Sequence, residues 1–121
     1  MPTIRVQGCF NSEIKVENIL NKITSYASEA LAIPADYCWA LFENQPHGTF
    51  VEGNRIVSPA QGNVIIASVA ALEGRTMQQK SAVMNAVSRA IVEGAGLSAS
   101  QVFIEYRDIP KGQAFSAGET L

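Results

Sequence analysis

A strand-helix-strand pattern occurs twice along this 121-residue chain, at nearly the same length each time. In the first copy "TIRVQGC" alternates as a strand over about Thr3–Cys9, and "NS" then offers a helix N-cap at Asn11 or Ser12. From Glu13 to about Leu31, Val16, Ile19, Leu20, Ile23, Ala27, Ala30 and Leu31 recur at helical spacing until Pro34 closes the region. "YCWALFE", Tyr37–Glu43, reads as the second strand, and "TFVEGNRIV" as a small hairpin turning at Glu52-Gly53-Asn54. In the second copy "VIIASVAAL", Val64–Leu72, is an apolar strand of the kind buried on both faces. Thr76 and Gln79 then form a capping box, and Val83, Val87, Ala90 and Ile91 make one helical stripe that stops near Gly94 or Gly96. "VFIEYR", Val102–Arg107, is the fourth main strand, followed by a turn-rich tail.

Spacing carries the case for duplication. There are 46 positions from Pro2 to Gly48 and 47 from Ile65 to Gly112. "PHGTF" and "PKGQAF" follow the second and fourth strands respectively. Each crossover is expected to be right-handed and to leave its two strands parallel. The expected fold is therefore α+β: two β-α-β units, about 2–50 and 64–115, forming one domain with a four-stranded mixed sheet and both helices on one face. The other face stays apolar, and only 17% of the residues are charged. Self-association is the natural cover.

Several functional classes drop out. A net charge of −2 gives no attraction for nucleic acid or an acidic membrane surface, and no apolar run reaches spanning length. With no basic-then-apolar leader, a cytoplasmic setting is expected. Cys9, Cys38 and His47 have no metal-ligand spacing, so neither metal nor cofactor is expected. Two buried thiols are a better reading than a Cys9–Cys38 disulfide.

The start, "MPTIRV", is open to two readings. Pro2 is a harmless strand-starter, since a first residue has no ladder bond to lose. Alternatively, removal of Met1 turns Pro2 into a free secondary amine, and a free amine is a base where an amide is not.

The motifs resolve that choice through a resemblance. "LEGRTMQQKSAVMNAVSRAI" followed by "PKGQAFSAGE" resembles the strand-to-helix turn and tail of 4-oxalocrotonate tautomerase. "LSASQVFIEYRD" is similar to a stretch of macrophage migration inhibitory factor, and "WALFENQPHGTFVEG" to one of cis-3-chloroacrylic acid dehalogenase. Together these cover nearly the whole chain, which is identified as a member of the tautomerase superfamily. The resemblance implies a homotrimer with the N-terminal proline as catalytic base or acid. It implies Pro2 and Arg75 as catalytic residues, Arg75 matching the arginine of the family's "EGR" turn. Phe115 matches the phenylalanine of the tail, at one inserted position, and is expected to wall the pocket. Glu105, Tyr106 and Arg107, with Lys111 just beyond, are candidate substrate contacts, although Glu105 and Arg107 share a strand face and are equally placed to pair. Trp39 and Phe42 are expected in the core or at a subunit contact.

The departures narrow the chemistry. Where the dehalogenase has a second arginine, this chain has Leu72; its tyrosine falls at Glu105 and its histidine near Glu29. The lysine before proline in migration inhibitory factor is Ile33 here, and its last-strand tyrosine and asparagine are Phe103 and Glu105. The expected activity is keto-enol tautomerisation of a small carboxylate-bearing 2-oxo or 2-hydroxy-enoic acid. Hydration or dehalogenation of an unsaturated acid, or a non-enzymatic trimeric interaction protein, are the alternatives.

Overall fold

The structure, a computed structural model, describes residues 1–10, 14–58 and 64–121. Strand β1 (Thr3–Gly8) leads to helix α1 (Val16–Leu31) and strand β2 (Trp39–Asn44). A short hairpin, β3 (Val51–Glu52) and β4 (Arg55–Ile56), precedes strand β5 (Ile65–Leu72), helix α2 (Met77–Ala95) and strand β6 (Val102–Ile109). A second hairpin, β7 (Phe115–Ser116) and β8 (Glu119–Thr120), ends the chain.

The sheet order is β2-β1-β5-β6, with β1 parallel to β2, β5 parallel to β6, and β1 antiparallel to β5. Alternation decides its two faces. Ile4, Val6, Ile65, Ala67 and Val69 point into the core and are at most 1% exposed. Against them lie Ile19, Ile23 and Ala27 of α1 and Val83, Val87, Ala90 and Ile91 of α2, each fully buried. The helices pack beside each other, α1 nearer β2 and α2 nearer β6. At Gly94 they approach closely: a Cβ there would meet Ile19 Cγ1 at 2.7 Å and Ile19 Cα at 3.3 Å. Alanine for glycine in a helix ordinarily gains about 0.5–1 kcal/mol. At this position overpacking reverses the sign, and Gly94→Ala is expected to lose about 1–3 kcal/mol in urea unfolding. A gain in stability would contradict the close helix contact.

The opposite face carries Trp39, Leu41, Ile66 and Phe103, all exposed. The expectation that the Val64–Leu72 strand is buried on both faces therefore fails within one chain. Ile65, Ala67, Val69 and Ala71 are buried while Ile66 is 40% exposed, because both crossover helices lie on one side.

Boundaries differ where local chemistry competes. Helix α1 begins at Val16 behind Lys15, which offers no side-chain cap, rather than at Glu13. The expected caps Asn11 and Ser12 lie outside the described residues. Tyr37 belongs to a 3-10 turn, Ala35–Tyr37, set up by Pro34, so β2 starts two residues later than expected. Helix α2 matches its signals: Thr76 Oγ1 accepts from Gln79 N–H at 3.1 Å, Gln79 Oε1 accepts from Thr76 N–H at 2.9 Å, and Gly96 caps the C-terminus.

The two hairpins close identically. Thr49 N–H donates to Pro46 C=O and Val57 N–H to Phe50 C=O; 64 residues on, Gln113 donates to Pro110 and Leu121 to Ala114. In the second copy this brings Phe115 back over the sheet end where β1 begins.

Candidate active site

Pro2 sits at the mouth of β1, fully buried, and its carbonyl accepts from Trp39 N–H at 3.0 Å. The registers Thr3↔Trp39 and Thr3↔Ala70, continued by one step, set Pro2 between Cys38 on β2 and Ala71 on β5. Ala71 in turn pairs with Asp108 on β6. One row across the sheet therefore reads Cys38, Pro2, Ala71, Asp108.

The turn after β5 carries Arg75 to the same end. Glu73 N–H donates to Ile109 C=O at 3.0 Å, and the Glu73 carboxylate accepts from Lys111 N–H at 2.9 Å. Gly74 then adopts φ +118°, a conformation closed to most side chains, which is why "LEGR" needs its glycine. Arg75 follows, half-buried, directly before the Thr76 cap of α2. Among the described residues it makes no ion pair. Its guanidinium therefore has donors to spare for an anion.

Cys38 reports how close these parts lie. Burial pushes its thiol above the ordinary value, while the charges of Arg75 and of the amino terminus pull it back down. Two positive groups from distant parts of the sequence thus act on one buried side chain next to Pro2. Cys9 and Cys38 are both buried and free.

At the sheet end where β1 begins lies a cavity of about 160 Å³ whose walls include Met1, Thr3, Trp39, Leu72, Ile109 and Phe115; neither Pro2 nor Arg75 lines it. Phe115 is 72% exposed and Trp39 54%, so neither is a core aromatic of this chain. Trp39 was expected in the core or at a subunit contact. Its parity, opposite to that of Ala40 and Phe42, turns it to the outer face and into this cavity. The signal was the alternation within "CWALF", legible once the register against β1 is known.

The other candidates separate. Glu105 and Arg107 lie on the outer face and bind each other, Arg107 Nε donating to Glu105 Oε1 at 3.0 Å. Tyr106 has the opposite parity. It packs against the core on the helix side, with its hydroxyl enclosed and Lys80 Nζ 5.4 Å from its ring centre, so it does not reach the cavity of its own chain. Lys111 borders an adjoining cavity with Leu72, Glu73 and Leu121. The sequence reading missed one fastening: Lys80 Nζ donates to Asp108 Oδ2 at 2.5 Å, tying the first turn of α2 to β6 and so steadying the Arg75 turn. Among the described residues no cluster of His, Cys, Asp and Glu is placed to hold a metal ion, and no helix is long and apolar enough to cross a membrane.

No family model matches the chain. It is 40% identical over 47 residues to a probable tautomerase of Streptococcus pneumoniae serotype 4, a match covering 39% of this chain and 78% of that protein. It is 42% identical over 45 residues to a 2-hydroxymuconate tautomerase of Comamonas testosteroni, covering 37% of this chain and 71% of that one. Among solved structures, a fused 4-OT crystallised as an asymmetric trimer superposes with a TM-score of 0.86 over 98% of this chain and 94% of its own. At 20% identity that last likeness is one of fold.

Proposed function

This chain belongs to the tautomerase superfamily, and on that footing we propose that it catalyses keto-enol proton transfer on a small 2-oxo or 2-hydroxy-enoic acid. The observation that supports the reading is a buried Pro2 in register with Cys38 and Ala71 at the sheet end where the Gly74 turn delivers Arg75, which makes no ion pair among the described residues. Loss of Met1 makes the Pro2 nitrogen a secondary amine. Burial and the nearby guanidinium both disfavour its ammonium form, so it stands ready to accept a proton near neutral pH.

In the enol-to-keto direction Pro2 takes the proton from the enol hydroxyl. Arg75 holds the substrate carboxylate and the developing C2 oxygen in a charge-assisted fork. The prolyl ammonium then delivers a proton to C3, leaving a C2 carbonyl and a neutral amine. Oxidation state does not change, so the step needs no redox partner. Phe115 shields the amine from water.

The proposed working form is a homotrimer, the whole chain acting as one domain of two units, about 2–50 and 64–115. The bare sheet face with Trp39, Leu41, Ile66 and Phe103 needs cover, and the fused 4-OT structure above is itself a trimer. In such an assembly Glu105 and Arg107 on that face reach a neighbour rather than their own cavity. Sedimentation at micromolar concentration is expected to give a trimer; a stable monomer would remove this part of the reading. The activity itself is tested by the ultraviolet decay of enol-phenylpyruvate. A protein that begins at Pro2 and does not accelerate that decay would end the proposal.

A further inference from the structure

Resting on the tautomerase reading, we propose that Lys80 and Asp108 are positioning residues for the reaction, setting its rate through Arg75 without touching the substrate.

The need for them follows from Arg75 itself. Its guanidinium makes no ion pair among the described residues, so its place is set by the backbone that carries it. That backbone has a loose joint. Gly74, at φ +118°, lacks the Cβ that would restrict it. Both flanks of the joint are fastened to one stretch of chain, the end of β6. On the near side Glu73 N–H donates to Ile109 C=O at 3.0 Å, and the Glu73 carboxylate accepts from Lys111 N–H at 2.9 Å. On the far side Lys80 N–H donates to Thr76 C=O at 3.0 Å, and Lys80 Nζ donates to Asp108 Oδ2 at 2.5 Å. Alternation sets Tyr106 and Asp108 on the helix side of β6, where Lys80 Nζ also lies 5.4 Å from the Tyr106 ring centre. The Lys80 side chain is only 18% exposed as a result. Asp108 pairs with Ala71, in the strand row that holds Pro2, so the fastening refers the Arg75 turn to the base itself. An ion pair open to solvent adds little to folding. Its worth here is precision, since a misplacement of about 1 Å can cost about a hundredfold in rate.

The experiment takes the protein that begins at Pro2 and compares Asp108→Asn, Lys80→Met and Asp108→Glu. The first removes a negative charge and the second a positive one, so an effect of charge at a distance would move kcat/KM in opposite directions. Loss of position moves it the same way. Asp108→Asn and Lys80→Met are each expected to lower kcat/KM for enol-phenylpyruvate by about three- to thirtyfold. Thermal unfolding should shift by no more than a few degrees. Asp108→Glu keeps the ion pair and should recover most of the rate. In an Arg75→Ala background, Asp108→Asn should cost less than about twofold, because no guanidinium is left to misplace. Amide hydrogen exchange reads the fastening without turnover: Asp108→Asn and Lys80→Met should speed it over residues 73–80 and leave α1 unchanged. Opposite rate effects of those two variants, an undiminished cost in the Arg75→Ala background, or unchanged exchange over the turn would overturn the proposal. Faster exchange in the variants of a protein that does not turn over enol-phenylpyruvate would instead leave the fastening standing and remove the tautomerase reading.

Discussion

Arg75→Ala is expected to lower kcat/KM for enol-phenylpyruvate by about 10²–10³-fold, the cost of deleting a donor aimed at a developing oxyanion. The side chain makes no ion pair among the described residues, and the Thr76–Gln79 capping box that starts α2 uses none of its atoms. Folding should therefore survive, and the loss is chemical. The pH profile supplies a second readout. A cation beside the Pro2 amine favours its neutral form, so removing that cation raises the amine's pKa. The acid limb of kcat/KM should accordingly move to higher pH in the variant. Arg75→Lys restores charge without the bidentate fork, and should return the limb toward its original place while recovering only part of the rate. A variant with wild-type kcat/KM would leave Arg75 as a solvated residue at a helix start.

Pro2→Ala, with Met1 removed, is expected to cost about ten- to a hundredfold, part of the 10²–10⁴ typical of a general base. A primary amine remains in nearly the same place, so proton transfer continues. Two things are lost: the ring that restricts where the nitrogen points, and the packing of a fully buried side chain. The midpoint of the pH–rate profile should shift because the base has changed, while the anchoring arginine has not. Thermal unfolding run alongside separates a chemical loss from a folding loss. Equal rates for proline and alanine would mean that the residue serves only to begin a strand.

Much of this arrangement is legible in the sequence because its signals are local. The Thr76–Gln79 box, the Val83-Val87-Ala90-Ile91 stripe and the turn at Gly53 each depend on neighbours within one or two turns of chain, and each appears where its residues indicate. Edges were harder. Lys15 begins α1 without a side-chain cap, and Pro34 draws Tyr37 into a 3-10 turn although its type suits a strand. The site is legible only in part for a different reason. Pro2 and Arg75 stand out as residue types, but their nearness rests on the antiparallel register of β1 with β5, a long-range fact. Trp39 enters the cavity because strand alternation turns it outward and because the last hairpin folds Phe115 back over the same sheet end. Tyr106 and Glu105, adjacent in sequence, face opposite sides of the sheet by alternation, but which of them faces the helices is fixed only by the pairing of β6 with β5.

The amine itself is the centre of the account, and one comparison addresses it without altering any side chain of the fold. Two preparations, one keeping Met1 and one beginning at Pro2, are distinguished by intact mass and assayed together on enol-phenylpyruvate. The form beginning at Pro2 should be active, and the form keeping Met1 should fall by about 10²–10⁴-fold, because an amide nitrogen takes no proton. Equal activity of the two forms would contradict the assignment of Pro2 as the base.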